Sequence, residues 1–261
     1  MRDEWHPDWH GPAHVSPADP FHRHVAEGYR TLERPAPRHV PGCTCALCSD
    51  RARLRRLYLR PASEWQVEDV LRWCDRATFV AAGNRGGADA LSGADGGVFR
   101  FLLPRILELL AAGGGTSASL AAALRHFAPA RGGALAPDQA AFVARFGALL
   151  LDRSMHDPDW PQDLFGTVHL LVHGGWPLGD LLKQAVRDPD LPAALARAWG
   201  RGGDDVLFPG GWPPGVSAAL CKTFVTGRMA ERMMDYAMAE GTGAEETHAA
   251  MRAADLLLRN I

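Results

Sequence analysis

Val98–Ala112 reads VFRFLLPRILELLAA, and the reading of this stretch decides the fold. Phe99, Leu102, Leu103, Ile106, Leu107 and Leu110 recur at steps of three and four. A period of about 3.6 residues puts such positions on one stripe, whereas a strand would alternate every second residue. The spacing therefore predicts a packed helix. Gly113, Gly114 and Gly115 supply its stop, and Thr116 is placed to cap a following helix through His126.

The same pattern continues on both sides. Pro137–Ser154 sets Phe142, Val143, Phe146, Leu149 and Leu150 on one face. Asp159 is placed to cap a helix to His173 that buries Leu164, Phe165, Val168, Leu171 and Val172, with Gly174 and Gly175 as its stop. Leu178–Val186 and Leu191–Trp199 read as short helices on either side of an Asp188-Pro189-Asp190 turn. Val216–Glu240 reads as one long helix with a methionine-rich face, and a Thr242–Glu245 capping box opens a last helix to Leu258. Towards the amino terminus, a Ser63–Gln66 capping box predicts a helix through Ala77, Leu47–Tyr58 a short arginine-rich helix, and 20–34 one more. Glycine-rich loops are expected over Ala82–Gly97 and Gly200–Gly215.

No βαβ unit or alternating sheet is legible. The fold class is all-α, an irregular multi-helix bundle or a stack of antiparallel helix pairs. An ARM/HEAT-like stack stays open, although no repeating unit can be marked. The organisation expected is an extended His/Pro-rich segment over 1–45 and a helical domain over 46–261.

Composition narrows the function classes. A formal net charge of −2 argues against a chain whose main task is neutralising phosphates, so nucleic acid is not the expected partner. Lysine occurs only at 183 and 222 among 28 basic residues, a bias that a GC-rich genome produces without any nucleic-acid role. No stretch approaches the roughly 18 uninterrupted apolar residues of a membrane span. The opening MRDEWHPDWHGP has no apolar run of the secretory kind, so a cytoplasmic location is expected. Five cysteines, odd in number and unevenly spaced, fit reduced thiols or metal thiolates better than a disulfide framework.

Three of those cysteines, Cys43, Cys45 and Cys48, form C-x-C-x-x-C. A turn can bring thiolates at this spacing onto one ion such as Zn²⁺, with His39 as the nearest fourth ligand and Cys74, Cys221 or an early histidine as others. The alternatives are unbound thiols and redox chemistry, the latter lacking the strand that a thioredoxin-like C-x-x-C follows. His6, His10 and His14 share helical spacing, but Pro7 and Pro12 break it; His22 and His24 complete the amino-terminal set. His169 and His173 lie four apart on a predicted helix, hence on one side, with His156 or Asp157 as a third ligand and no H-E-x-x-H glutamate between them. Asp152 with Asp157 or Asp159, and Asp204 with Asp205, could pair for acid/base work. Arg51, Arg53, Arg55, Arg56 and Arg60 make a basic patch beside Leu54, Leu57 and Tyr58. Met229, Met233, Met234 and Met238 suit a core face or an adaptable apolar groove.

Gly42-Cys43-Thr44-Cys45, the helix after Ser63 and above all Phe101-Leu-Leu-Pro-Arg-Ile-Leu-Glu-Leu-Leu110 resemble a family of uncharacterised bacterial proteins with a glycine-cysteine signature and an FLPRLLEL-like helix. The resemblance covers roughly 41–112 and departs at Cys48 and at the glycine-rich insertion. It implies a helical cytoplasmic protein and supplies no catalytic residues. Two functions follow as expectations. The first is a non-catalytic helical protein that works by binding another protein, its amino-terminal segment stapled by the cysteines with a structural Zn. The second is a metal-dependent enzyme that uses a Cys or His cluster.

Overall fold

The computed structural model describes residues 11–37, 56–81, 94–131, 133, 135–202, 213 and 215–259. Cys43, Cys45, Cys48 and His39 lie outside these residues, as do His6, His10, Arg51, Arg53, Leu54, Arg55, Asp204 and Asp205. Every regular element among the described residues is helical, so the all-α architecture stands as an irregular multi-helix bundle. The helices are α1 (His22–Thr31), α2 (Val67–Ala81), α3 (Ala94–Ala111), α4 (Ala118–Phe127), α5 (Pro137–His156), α6 (Leu164–His173), α7 (Leu178–Arg187), α8 (Leu191–Gly202), α9 (Val216–Phe224), α10 (Gly227–Met238) and α11 (Ala244–Arg259). They divide into two compact units, Met1–Phe146 and Gly147–Ile261. None of the described helices is long and apolar enough to cross a membrane.

In the first unit α3 is the central element. Val98, Phe99 and all of 101–111 are buried, so the helix is enclosed all round rather than along the single stripe that its leucines predict. Phe99 stacks on Phe127 of α4 with ring centroids 4.3 Å apart, and Trp73 of α2 stacks on Phe127 at 5.8 Å. Each such pair adds about 0.5–1.5 kcal/mol beyond the area it buries. Phe101 meets Trp65, which meets Tyr58 edge-on. Gln139 ties α5 to the end of α1 by donating to the Thr31 carbonyl and accepting from Arg34.

The second unit is built around α8, against which α6, α7, α10 and α11 pack. Phe165 of α6 sits edge-on to both Trp199 of α8 and Phe224 of α9. Ala249, Ala250, Ala253 and Ala254 give α11 a buried small-residue face, and small side chains let helix axes approach closely.

Several boundaries differ from expectation, each for a local reason. The Ser63 capping box does not form. Residues 62–64 make a short 3-10 turn, Trp65 is extended, and α2 begins at Val67. Gly113 takes the left-handed conformation (φ 94°), which moves the next cap from Thr116 to Ser117, whose hydroxyl accepts from Leu120 N. Asp163, not Asp159, caps α6 by accepting from Gly166 N at 2.7 Å. The long helix expected over 216–240 is two. The hydroxyl of Thr226 accepts from Met229 N at 3.2 Å and starts α10 afresh. Thr242 does not cap α11, because its hydroxyl points back and donates to the Tyr236 carbonyl. The methionine face is split as well: Met229 and Met233 are buried, whereas Met234 and Met238 are exposed.

Candidate functional site

The chemistry-bearing side chains of the second unit gather where α5 ends beside the turn after α7. Asp152 and His156 lie four apart near the end of α5 and so share a face. Asp188 follows α7, where its extended backbone stops the helix, and its Oδ1 accepts from Asp190 N at 2.9 Å. Arg232 of α10 clamps this turn by donating to the Val186 and Asp188 carbonyls. Arg232 thus fixes the backbone of the turn and Asp190 N holds the Asp188 carboxylate, whose Oδ1 faces His156.

One donor atom from each of Asp152, His156 and Asp188 lies within 4.8 Å of the others, a cluster that can coordinate a metal ion. His156 Nδ1 sits 2.8 Å from the Asp152 carbonyl, where the ring donates its N–H to that oxygen. This bond puts a proton on Nδ1 and leaves Nε2 as the nitrogen available to an ion, the arrangement that metal-bound histidines adopt. Nε2 in turn lies 3.3 Å from Asp188 Oδ1 and 3.4 Å from Asp190 Oδ2. Two ligand atoms bonded to one ion at about 2.1 Å stand about 3.0–3.4 Å apart. Burial pushes the His156 pKa down, but the Asp152 carbonyl and the carboxylates of Asp188, Asp152 and Asp190 outweigh it and hold it above the usual imidazole value. Without a metal, the same carboxylates and the Asp152 carbonyl favour the protonated form of the imidazole.

A second polar cluster is buried in the first unit. Arg105 is fully buried and donates from Nε to the Trp65 carbonyl at 3.0 Å and from Nη1 to Glu108 Oε2 at 2.6 Å. Tyr29 of α1 donates to the same oxygen at 2.6 Å, and His14 Nδ1 meets Oε1 at 2.9 Å. Burial alone would raise the Glu108 pKa; the Tyr29 hydrogen bond, the Arg105 charge and the His14 bond hold it below the usual carboxylate range. The Tyr29 hydroxyl is pushed far above the ordinary phenol value by burial and by the Glu108 charge. Arg105 and Glu108 fasten the amino-terminal segment, α1 and the Trp65 turn to α3.

The remaining sequence candidates sort plainly. His169 and His173 do come together, with Nε2 atoms 2.9 Å apart. The third ligands considered for them are engaged elsewhere: His156 with the Asp152/Asp188 cluster, and Asp157 with Arg153 at 3.1 Å. Asp157 also accepts from Asp159 N at 3.1 Å. His24 lies edge-on to Phe21, Cys74 is buried, and burial raises its thiol pKa well above the free value. The Asp152–His156–Asp188 grouping was not anticipated. Its only sequence trace is D-x-x-x-H at a predicted helix end, with Asp188 supplied by a turn some thirty residues later.

No family model, curated protein or solved structure matches this chain.

Proposed function

We propose that the protein is a metal-dependent enzyme whose ion is held by Asp152, His156 and Asp188, with Asp190 beside them. The supporting observation is an oriented imidazole Nε2 3.3 Å from an Asp188 carboxylate oxygen and 3.4 Å from one of Asp190, with a donor atom of Asp152 within 4.8 Å of those of His156 and Asp188. One nitrogen with two or three carboxylate oxygens suits Zn²⁺ or Mn²⁺ better than a thiolate-seeking ion. Asp152 and His156 are exposed, so three protein ligands leave coordination positions open to water and substrate. An ion in that state lowers the pKa of its water and polarises a bound carbonyl or phosphoryl oxygen, which favours hydrolysis as the reaction class.

Equilibrium dialysis of untagged protein with Zn²⁺ and Mn²⁺ tests the site. Uptake is expected to fall by one equivalent in both His156→Ala and Asp188→Asn; undiminished uptake in both refutes it. Turnover of simple ester and phosphoester substrates should need the added ion and vanish in His156→Ala. Metal uptake without any metal-dependent turnover would remove the enzymatic half of the proposal.

A further inference from the structure

Two half-buried arginines of the first unit, Arg34 and Arg100, carry charges that no acid offsets. Arg34 follows α1, the helix that packs on α3, and Arg100 lies in the second turn of α3. Each guanidinium is pinned along one edge only. Arg34 donates from Nη2 to Oε1 of the buried Gln139 at 3.0 Å, and Gln139 is itself fixed by donating to the Thr31 carbonyl at 3.1 Å. Arg100 donates from Nε to the Gly96 carbonyl at 3.4 Å, which turns its head group back toward the amino-terminal end of α3. Both Nη groups of Arg100 and Nη1 of Arg34 stay open to a ligand. Among the described residues neither arginine forms an ion pair. Burial and then the Arg34 charge hold the Arg100 pKa below the usual guanidinium value, with no carboxylate acting the other way. Asp95, the acid in the first turn of α3, acts instead on Tyr58 and His126. Glu33 and Asp138, the sequence neighbours of Arg34 and Gln139, are exposed.

We propose that Arg34 and Arg100 form a binding site for a phosphate group, carried as inorganic phosphate or as a small phosphate monoester. Two guanidinium charges without a counter-charge match a dianion, and a phosphate monoester carries about −1.5 to −2 at pH 7. A carboxylate supplies half of that charge. Shape points the same way. A guanidinium offers parallel N–H donors that fit two oxygens of one anion. A tetrahedral phosphate has oxygens enough to engage a fork from each arginine, whereas the two oxygens of a carboxylate are used up by one. The anion also relieves the repulsion between the two arginines, since both then face negative charge. The amino-terminal end of α3, toward which Arg100 is turned, adds the positive end of the helix dipole. The chain as a whole carries a net charge of −2, so the pair is a local concentration of charge that suits a small anion rather than a polyanion.

The test is calorimetric titration of untagged full-length protein with inorganic phosphate, phenyl phosphate and acetate. A chelator is present throughout, so that no ion at the His156 centre can hold the anion. Phosphate should bind one to one and weaken about 10–100-fold in Arg34→Gln and in Arg100→Gln, the usual effect of losing charge-assisted hydrogen bonds. Arg100→Lys keeps the charge without the fork and should restore only part of the affinity. Arg30→Gln removes an exposed charge from α1 and should change affinity less than about twofold, because solvent and salt screen it. Binding of one phosphate probe alone supports the site and identifies the source. Thermal unfolding separates binding from a structural role. Without phosphate, Arg100→Gln should unfold at the wild-type temperature or above it, because a like charge has gone; with phosphate, only the wild type should gain stability. A loss of stability in Arg100→Gln that is the same with and without phosphate overturns the proposal. So does phosphate affinity undiminished in both arginine variants, an equal loss in Arg30→Gln, or acetate binding as tight as phosphate. Failure of the wild type to bind either phosphate probe overturns it outright.

Discussion

Replacing Glu108 by Gln removes one charge from the interior of the first unit and changes little else in size or shape. The Arg105 side chain has no exposure and that of Glu108 only 7%. Without the carboxylate, the guanidinium keeps its bond to the Trp65 carbonyl but loses its counter-charge, and the Tyr29 hydroxyl and His14 lose an anionic acceptor. Removing one partner of a buried ion pair costs about 3–5 kcal/mol, because the other charge stays buried and uncompensated. For a chain of this length that is a fall in Tm of about 6–20 °C. The control is Glu27→Gln, which breaks an ion pair with Arg145 whose side chains are 51% and 36% exposed; pairs of that kind contribute about 1 kcal/mol or less.

Thermal and denaturant unfolding followed by circular dichroism provides the assay. Arg105→Met with Glu108→Gln should cost less than the two single substitutions together, since the double variant leaves no stranded charge. The pH profile supplies a second readout. Glu108 is held below its usual range when folded, so its stabilisation is present above the unfolded carboxylate value of about 4.3 and is lost as pH falls through its folded value. That acid limb should flatten in Glu108→Gln. A Tm loss no greater than that of Glu27→Gln, or strict additivity in the double variant, refutes the view that this network holds the unit together.

The centre at His156 should show opposite pH trends with and without metal. Its raised pKa means that the imidazolium–carboxylate contribution is fully present below the unfolded histidine value of about 6.5 and lost as pH rises through the folded value. Zn²⁺ affinity should instead climb over that interval, since the ion needs neutral Nε2; calorimetric titration at several pH values checks this. Gly147→Ala should destabilise by about 1–3 kcal/mol, because the new Cβ would lie 2.0 Å from Trp176 Nε1 against a rigid indole. Gly97→Ala meets nothing within 4 Å and should stabilise α3 by about 0.4–1 kcal/mol, a contrast that thermal unfolding resolves. Cys74 should resist alkylation in the native protein, being buried with a raised thiol pKa; mass mapping after iodoacetamide treatment would disprove this if Cys74 were modified before Cys221.

The helices were legible where burial alone specifies them. Apolar spacing found α3, α5, α6, α7 and α8 to within a few residues, because steps of three and four report the helix period whatever lies elsewhere in the chain. Boundaries set by competing caps were less legible. Asp159 and Asp163 are equally good caps in sequence, and only the Gly166 N bond at 2.7 Å distinguishes them. The break at Val225 and Thr226 is marked only by a capping threonine followed by Gly227, a weak signal inside an otherwise continuous apolar pattern.

Site residues were harder to read because their partners are distant in the chain. An arginine and a glutamate three apart on an apolar helix read as its solvent face. They are buried because His14, Tyr29 and the Trp65 carbonyl, 94, 79 and 40 residues from their respective partners, satisfy them. Charge in a low-dielectric interior is tolerated only with such partners, and no window of sequence displays them. The His156 centre follows the same rule in a milder form. Asp152 and His156 are paired by helical spacing, yet the turn oxygen that completes the cluster is set by Arg232, supplied from α10. Loosening that clamp is therefore a way to weaken the metal site without touching a ligand. Arg232→Ala should lower Zn²⁺ affinity about 10–100-fold, the usual effect of losing a group that orients a ligand, while preserving one-to-one stoichiometry. Wild-type affinity in that variant would mean that Asp188 is positioned by its own turn alone.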